Sequence, residues 1–375
     1  MKSHNRKLHT VIAVNVLVFL GLLSGVAFIP PAIVDAYRLF RSQFISPPEP
    51  RSELPNYADS PWAERHFREF ARLRSQYYDY IVWRREPFDG ETIHVDTRGY
   101  RRHAANPNAD FPVSSAWFFG GSTMWGYGVR DSETIPAFVQ KASGIRSFNF
   151  GEAGYVAHQS LNLLMKAYLE GGRPKYVIFY DGVNEVSHKC MKGQSVFSTF
   201  FETPIKKYVA DGSRQDTDSL FLNVFSPTIK TIQLAVARFT GTRADNNGFS
   251  DPQLYECGQN TEKARAIAAA LLQDWTTAKT IVESNGGKFV PVLQPVAYIG
   301  RPNLTYLDAV QKNDGMRIEY QLVYAEIRKQ LKEQNFRYLD FSEVLDGAPV
   351  YYIDQCHVSP NANKVIAERI AALLH

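Results

Sequence analysis

A serine hydroxyl becomes a nucleophile when a nearby base takes its proton, and the usual base is a histidine held by a carboxylate. Three residues far apart in this 375-residue chain offer that set. Ser122 lies in Phe119-Gly120-Gly121-Ser122-Thr123, and Asp354 and His357 lie in Asp354-Gln355-Cys356-His357. Such a set would perform acyl transfer through a covalent intermediate. A serine in a glycine-rich turn and an isolated histidine are also common structural features. Acyl chemistry further needs donors for the oxygen that becomes negative in the tetrahedral intermediate. Two segments offer them: Asn149-Phe150-Gly151-Glu152-Ala153-Gly154, and Tyr180-Asp181-Gly182-Val183-Asn184-Glu185. Glycine allows close backbone approach, and an asparagine amide is a neutral donor. Either segment alone is equally well a turn or a cap.

These residues need a scaffold. From Ser115 onward, short apolar runs alternate with helical periodicity. The expected strands are Ala116–Phe119, Ser147–Phe150, Tyr176–Tyr180, Lys288–Leu293 and Arg337–Phe341. The expected helices are Glu133–Ala142, Gln159–Leu169, Thr261–Glu283, Met316–Glu333 and Asn361–Leu374. That alternation predicts an α/β fold with a doubly wound parallel sheet. Ligands in such sheets bind beyond the carboxyl ends of the strands. Ser122, Gly154 and Asn184 follow the first, second and third strands, and Asp354 and His357 follow the fifth, so all fall on one sheet edge.

Upstream, residues 1–9 form a basic segment, and residues 10–30 contain the uncharged run Thr10–Ile29 (TVIAVNVLVFLGLLSGVAFI). This run is long enough to cross a bilayer as a helix. The preceding Lys2, Arg6 and Lys7 favour a cytoplasmic N-terminus and an extracytoplasmic remainder. A cleavable signal peptide is the competing reading, but Ile29-Pro30-Pro31 replaces a small-x-small site. Residues 31–61 read as a Pro-rich linker. Residues 62–114 read as an amphipathic helix over Trp62–Arg85 followed by a hairpin at Thr92–Arg102. The helix could lie on anionic headgroups or pack its apolar face on the domain.

The composition is 45% hydrophobic and 13% aromatic with net charge +4, which describes a globular chain and gives no reason to invoke nucleic acid. No His/Cys/Asp cluster shows metal-ligand spacing, so neither metal nor cofactor is expected. Three cysteines are present. Cys190 and Cys257 flank a long insertion, 186–260, and either form a disulfide or remain buried thiols. The insertion is rich in aromatics at Val196–Phe201 and amphipathic near Thr228–Thr240, as expected of a lid or of a membrane- or partner-facing surface.

In this order, the blocks around Ser122, Gly154, Asn184 and Asp354–His357 resemble the SGNH (GDSL-type) hydrolase superfamily over 115–375. The stretch His94-Val-Asp-Thr-Arg-Gly-Tyr-Arg101 is similar to a lead-in of its membrane-associated bacterial members. Gly121 departs from the pattern, standing where many members carry Asp. The resemblance implies a flavodoxin-like five-stranded sheet preceded by one transmembrane helix. It also implies Ser122 as nucleophile, His357 as base, Asp354 as its partner, and an oxyanion hole of Ser122, Gly154 and Asn184. His158, Asp181 and Glu185 are further candidates for substrate binding. With the anchor, the resemblance points to O-acyl, chiefly O-acetyl, groups on a surface or exported polysaccharide. The enzyme would be an esterase or an acyltransferase, with an envelope biosynthesis complex as a further partner. The rivals are a lipid esterase or thioesterase at the bilayer, and a catalytically silent domain that binds glycan or scaffolds a complex.

Overall fold

The computed structural model describes residues 49–103, 115–200, 202 and 251–374, which belong to one compact unit. The expected anchor, the basic segment before it, most of the Pro-rich linker and the amphipathic piece near Thr228–Thr240 lie outside the described residues. Among the described residues no helix is long and apolar enough to cross a membrane.

Nine strands are described: β1 Ser75–Tyr78, β2 Val82–Arg85, β3 Phe88–Asp89, β4 His94–Val95, β5 Ala116–Gly120, β6 Ser147–Asn149, β7 Tyr176–Asp181, β8 Lys288–Leu293 and β9 Leu339–Asp340. The helices are α1 Ala63–Arg72, α2 Ser122–Trp125, α3 Ile135–Ser143, α4 Ala157–Leu169, α5 Val183–Lys189, α6 Thr261–Ser284, α7 Asp308–Gln311, α8 Asp314–Glu333 and α9 Pro360–Ala371.

Strands β5 to β9 form one parallel sheet in the order β6-β5-β7-β8-β9. Every residue of β5 and β7 is buried. Such strands have both faces covered and read as continuous apolar runs. The two faces are still distinct. Trp117, Phe119, Val177 and Phe179 pack into a core with residues of α4, α6 and α8. Ala116, Phe118, Ile178 and Tyr180 pack on the other side with α3 and α9. The chain leaves β5 toward β6 and then crosses to β7 on the opposite side. The crevice between the ends of β5 and β7 is therefore the topological switch point.

Helix starts follow side-chain caps. Thr134 accepts from the Ala137 N–H before α3, and Asn260 from the Lys263 N–H before α6. Ser359 precedes α9, whose first residue is Pro360; proline suits that position because its missing N–H would have no helical partner there. This abrupt start, three residues after His357, fixes how the chain leaves the catalytic loop.

The expected helix over Trp62–Arg85 is overturned in its second half. α1 ends at Arg72, and residues 75–85 form an antiparallel hairpin in which Tyr77 pairs with Trp83. Tyr77, Tyr78, Val82 and Trp83 are aromatic and β-branched, and they fit a pleated surface better than a helix. α1 itself buries His66 and Phe67 rather than presenting an apolar face to headgroups. Beyond it, β4 turns at Gly99, and the returning Arg101 bridges both Val95 and Asn149. The lead-in hairpin thus extends the edge of the central sheet beyond β6.

The insertion is described at its two ends. Cys190 and Cys257 are joined by a disulfide with their α-carbons 5.3 Å apart. Cys190 immediately follows α5, so the bridge ties the end of that helix to the segment returning into α6.

Candidate active site

The sharpest local constraint is at the end of β5. Gly121 leads into α2, a single helical turn that Gly126 terminates in the left-handed conformation (φ 100°). The first long helix after the serine, α3, begins at Ile135, close to the expected Glu133–Ala142. Ser122 is thus the first residue of a one-turn helix above the switch point. Gly121 has an ordinary φ of −81°, so conformation does not require glycine. Space does: a Cβ at this position would overlap the Asn184 amide nitrogen. Replacing Gly121 by Ala should therefore push the Asn184 amide off its position. Loss of one oxyanion donor is worth roughly 10²-fold in kcat. The expected result is a loss of that order with little change in melting temperature, measured by ester hydrolysis beside thermal denaturation.

The base comes from the loop between β9 and α9. Its ends are pinned by the antiparallel bridge Tyr352–Val358, and the Ile353 N–H donates to the His357 carbonyl at 2.9 Å. Within this turn the Cys356 and His357 N–H groups donate to Asp354 Oδ1 at 2.9 and 2.8 Å. Asp354 Oδ2 lies 2.6 Å from His357 Nδ1, and His357 Nε2 lies 2.6 Å from Ser122 Oγ. A proton can pass from Oγ to Nε2 while the carboxylate holds the proton on Nδ1.

Burial raises the Asp354 carboxyl pKa, but the facing imidazole and the hydrogen bonds from it and from the two backbone N–H groups outweigh this and lower it from 3.8 to about 2. The folded value lies below the unfolded one. The charged form therefore stabilises the fold above about pH 4, and that contribution disappears as pH falls through about 2. Urea unfolding of the wild type should lose about 1–2 kcal/mol relative to Asp354→Asn over this window.

Gly154 and Asn184 border the same cavity as Ser122 and His357; its volume is about 290 Å³. Gly154 has φ +81°, which an L-side chain adopts only with strain. Among the described residues the N–H groups of Ser122 and Gly154 donate to no acceptor. Asn184 is the second residue of α5, not a loop residue as expected. Its Nδ2 donates one hydrogen to the Tyr155 carbonyl at 2.7 Å, which orients the amide and leaves the second hydrogen for a ligand.

The three further candidates do not line this cavity. Asp181 is buried, accepts from Trp275 Nε1 at 2.8 Å, and has its pKa raised by burial and by Glu185. Glu185 is buried and accepts from the N–H groups of Gly182 and Ala157 at 2.9 and 2.8 Å. It thereby ties the β7–α5 turn, which positions Asn184, to the start of α4. His158 pairs with Asp274 at 3.0 Å, and that hydrogen bond raises its pKa. Each of these three side chains is held by partners within the framework around the cavity.

Several functional contacts were not foreseen because they join segments distant in sequence. The Tyr127 ring lies on the His357 imidazole with centroids 4.0 Å apart. The Arg51 guanidinium stands over Tyr127 at 5.4 Å. Asn56 Nδ2 donates to the Val350 and Tyr352 carbonyls at 2.9 and 3.1 Å. A segment read only as linker therefore clasps the catalytic loop. Arg101, fully buried, donates to the Gly126 and Val129 carbonyls at 2.5 and 2.6 Å and to Asp131 Oδ1 at 2.8 Å. It fixes the chain that follows the nucleophile. The Arg-Gly-Tyr-Arg spacing was the available signal for that role.

Among the described residues two groups of potential metal donors converge: Cys190, Cys257 and Glu319, and Asp354, Cys356 and His357. In the first the sulfurs are joined to each other. In the second the carboxylate and imidazole are hydrogen-bonded to each other.

Fold and site define a doubly wound α/β domain with a serine–histidine–aspartate relay at its switch point. No protein-family model and no curated protein matches the chain. Among solved structures, the chain is similar to a member of the lipolytic G-D-S-L family from Veillonella parvula, at 13% identity over 70% of this chain and 97% of that one, with a TM-score of 0.36. It is also similar to a carbohydrate acetylesterase family member from Sinorhizobium meliloti, at 13% identity over 70% and 99%, with a TM-score of 0.35. A GDSL-like lipase from Bacteroides thetaiotaomicron is matched at 12% identity over 71% and 91%, with a TM-score of 0.38. At these scores the likeness carries no functional weight, and the geometry of the site carries the reading.

Proposed function

We propose that this chain is a serine ester hydrolase or O-acyltransferase of the SGNH type. It acts on O-acyl, chiefly O-acetyl, groups of a surface or exported polysaccharide and is held at the membrane by residues 10–30. The observation that carries the chemistry is the unbroken chain Asp354–His357–Ser122, with both links 2.6 Å long, at the cavity that Gly154 and Asn184 share. Ser122 Oγ attacks the ester carbonyl as His357 Nε2 takes its proton. The Ser122 and Gly154 N–H groups and the Asn184 amide hold the oxyanion. His357 returns the proton to the departing alcohol, which leaves the acyl group on Ser122. Water then releases a carboxylic acid, or a sugar hydroxyl accepts the acyl group, with His357 again taking and returning the proton. Polysaccharide as substrate and the extracytoplasmic location are motivated by the apolar N-terminal run and by the motif order.

A second reading has its own observation. Phe70, Trp83, Tyr127 and Phe200 line the cavity, an apolar wall suited to a longer acyl chain. Hydrolysis of p-nitrophenyl acetate, butyrate and octanoate separates the two. Rates that fall with chain length support the small-acyl reading, and a preference for octanoate moves the assignment to a lipid esterase or thioesterase. Adding oligosaccharide to the acetate reaction then distinguishes transfer from hydrolysis by the product formed.

A further inference from the structure

Among the described residues lining the catalytic cavity, Arg85 alone carries a permanent charge, and no carboxylate lines the wall. Its guanidinium is held in place. Nε lies 3.2 Å from Glu152 Oε1, and Nη1 donates to Ser75 Oγ at 3.2 Å. The group stands over the Phe70 and Trp125 rings at 5.5 and 5.9 Å. Glu152 is fully buried behind the wall. Its oxygens already accept the Arg85 N–H at 3.0 Å and the Ala153 N–H at 2.8 Å, which also anchors the Gly154 loop. Glu152 thus faces one edge of the guanidinium as an ion-pair partner, while among the described residues Nε makes no hydrogen bond. Among the described residues, Arg85 Nη2 has no acceptor.

A guanidinium fixed beside an apolar cavity is a pre-organised anion ligand. Its planar fork matches a carboxylate, and the low-dielectric surroundings strengthen the attraction. If Arg85 only neutralised Glu152, the Nε edge would suffice and the group would not need to border the cavity. We propose that Arg85 recognises a carboxylate on the alcohol side of the ester, so that the preferred substrates are acyl groups on acidic sugars rather than neutral ones. The anion is assigned to the sugar because an acetyl group carries no charge. This inference rests on the reading of Ser122 as the nucleophile of an ester-cleaving site.

The test uses the full chain in neutral detergent at low salt. Acetate release is compared between acetylated oligogalacturonides and acetylated xylo-oligosaccharides, with p-nitrophenyl acetate as the uncharged reference. The wild type should favour the galacturonides by about tenfold or more in kcat/KM, chiefly through KM, and added salt should shrink the ratio. Arg85→Gln should bring the ratio close to one, and Arg85→Lys should retain part of it. If Arg85→Gln does not fold, competitive inhibition of the wild type by free galacturonate, and not by xylose, decides in its place. A wild-type ratio near one, an unchanged ratio in Arg85→Gln, or a preference for anionic lipid esters over both glycans would overturn the proposal. The underlying reading fails separately: it falls if Ser122→Ala cleaves p-nitrophenyl acetate as fast as the wild type, or if the wild type cleaves none of these esters.

Discussion

Ser122→Ala should lose at least about 10³-fold in kcat for p-nitrophenyl acetate, equivalent to some 4 kcal/mol of transition-state stabilisation. The hydroxyl makes one hydrogen bond, to His357 Nε2, and is the group placed to form the acyl-enzyme. Its removal leaves no other nucleophile at that point of the cavity among the described residues. Cys356 borders the cavity, but burial pushes its thiol pKa well up and Asp354 raises it further, so it remains protonated and unreactive. The melting temperature should stay within a degree or two, because one partly exposed hydroxyl contributes little to stability. Serine and histidine act as a unit, so Ser122→Ala/His357→Ala should be scarcely slower than either single variant. Matching turnover in the wild type and Ser122→Ala would remove the catalytic assignment.

Asp354→Asn should cost about 10³ to 10⁴-fold, although it changes few atoms. The reason is specific to this loop. Two backbone N–H groups, from Cys356 and His357, point at Asp354 Oδ1 and need an acceptor. An asparagine would keep its oxygen there and turn its NH₂ toward His357 Nδ1. Nδ1 must then accept, so the neutral imidazole carries its proton on Nε2. That nitrogen can no longer take the proton of Ser122. The fold should survive, since both backbone donors remain satisfied. Asp354→Ala leaves those donors without an acceptor and should lose stability as well as rate, by about 1–3 kcal/mol. If Asp354→Asn keeps near wild-type kcat, the histidine is not oriented as the geometry indicates.

Much of the scaffold was legible because its signals are local. β5 and β7 are short, wholly buried runs, and strands covered on both faces must be apolar throughout. α6 and α8 match their expected spans closely because periodicity and caps at Asn260 and Asn313 lie within a few residues of each start. The hairpin at 75–85 was misread because its arginines and tyrosines mimic an amphipathic helix. Only pairing across the turn, Tyr77 against Trp83, decides between the two.

The sequence alone determined the residue types able to do the chemistry, their order, and the strand ends on which they sit. Those follow from intrinsic nucleophilicity and from short-range apolar patterning. Tertiary structure decided which carboxylates are structural and which one orients the base. Asp181 and Glu185 are as polar as Asp354 in sequence, yet burial turns them to backbone and indole donors. It also decided why Gly121 must be small, since the obstacle is an amide from residue 184. The placement of Arg51, Asn56 and Arg85 was decided there as well. A side chain's partner depends on which distant segments close over it, and local pattern carries no record of that closure.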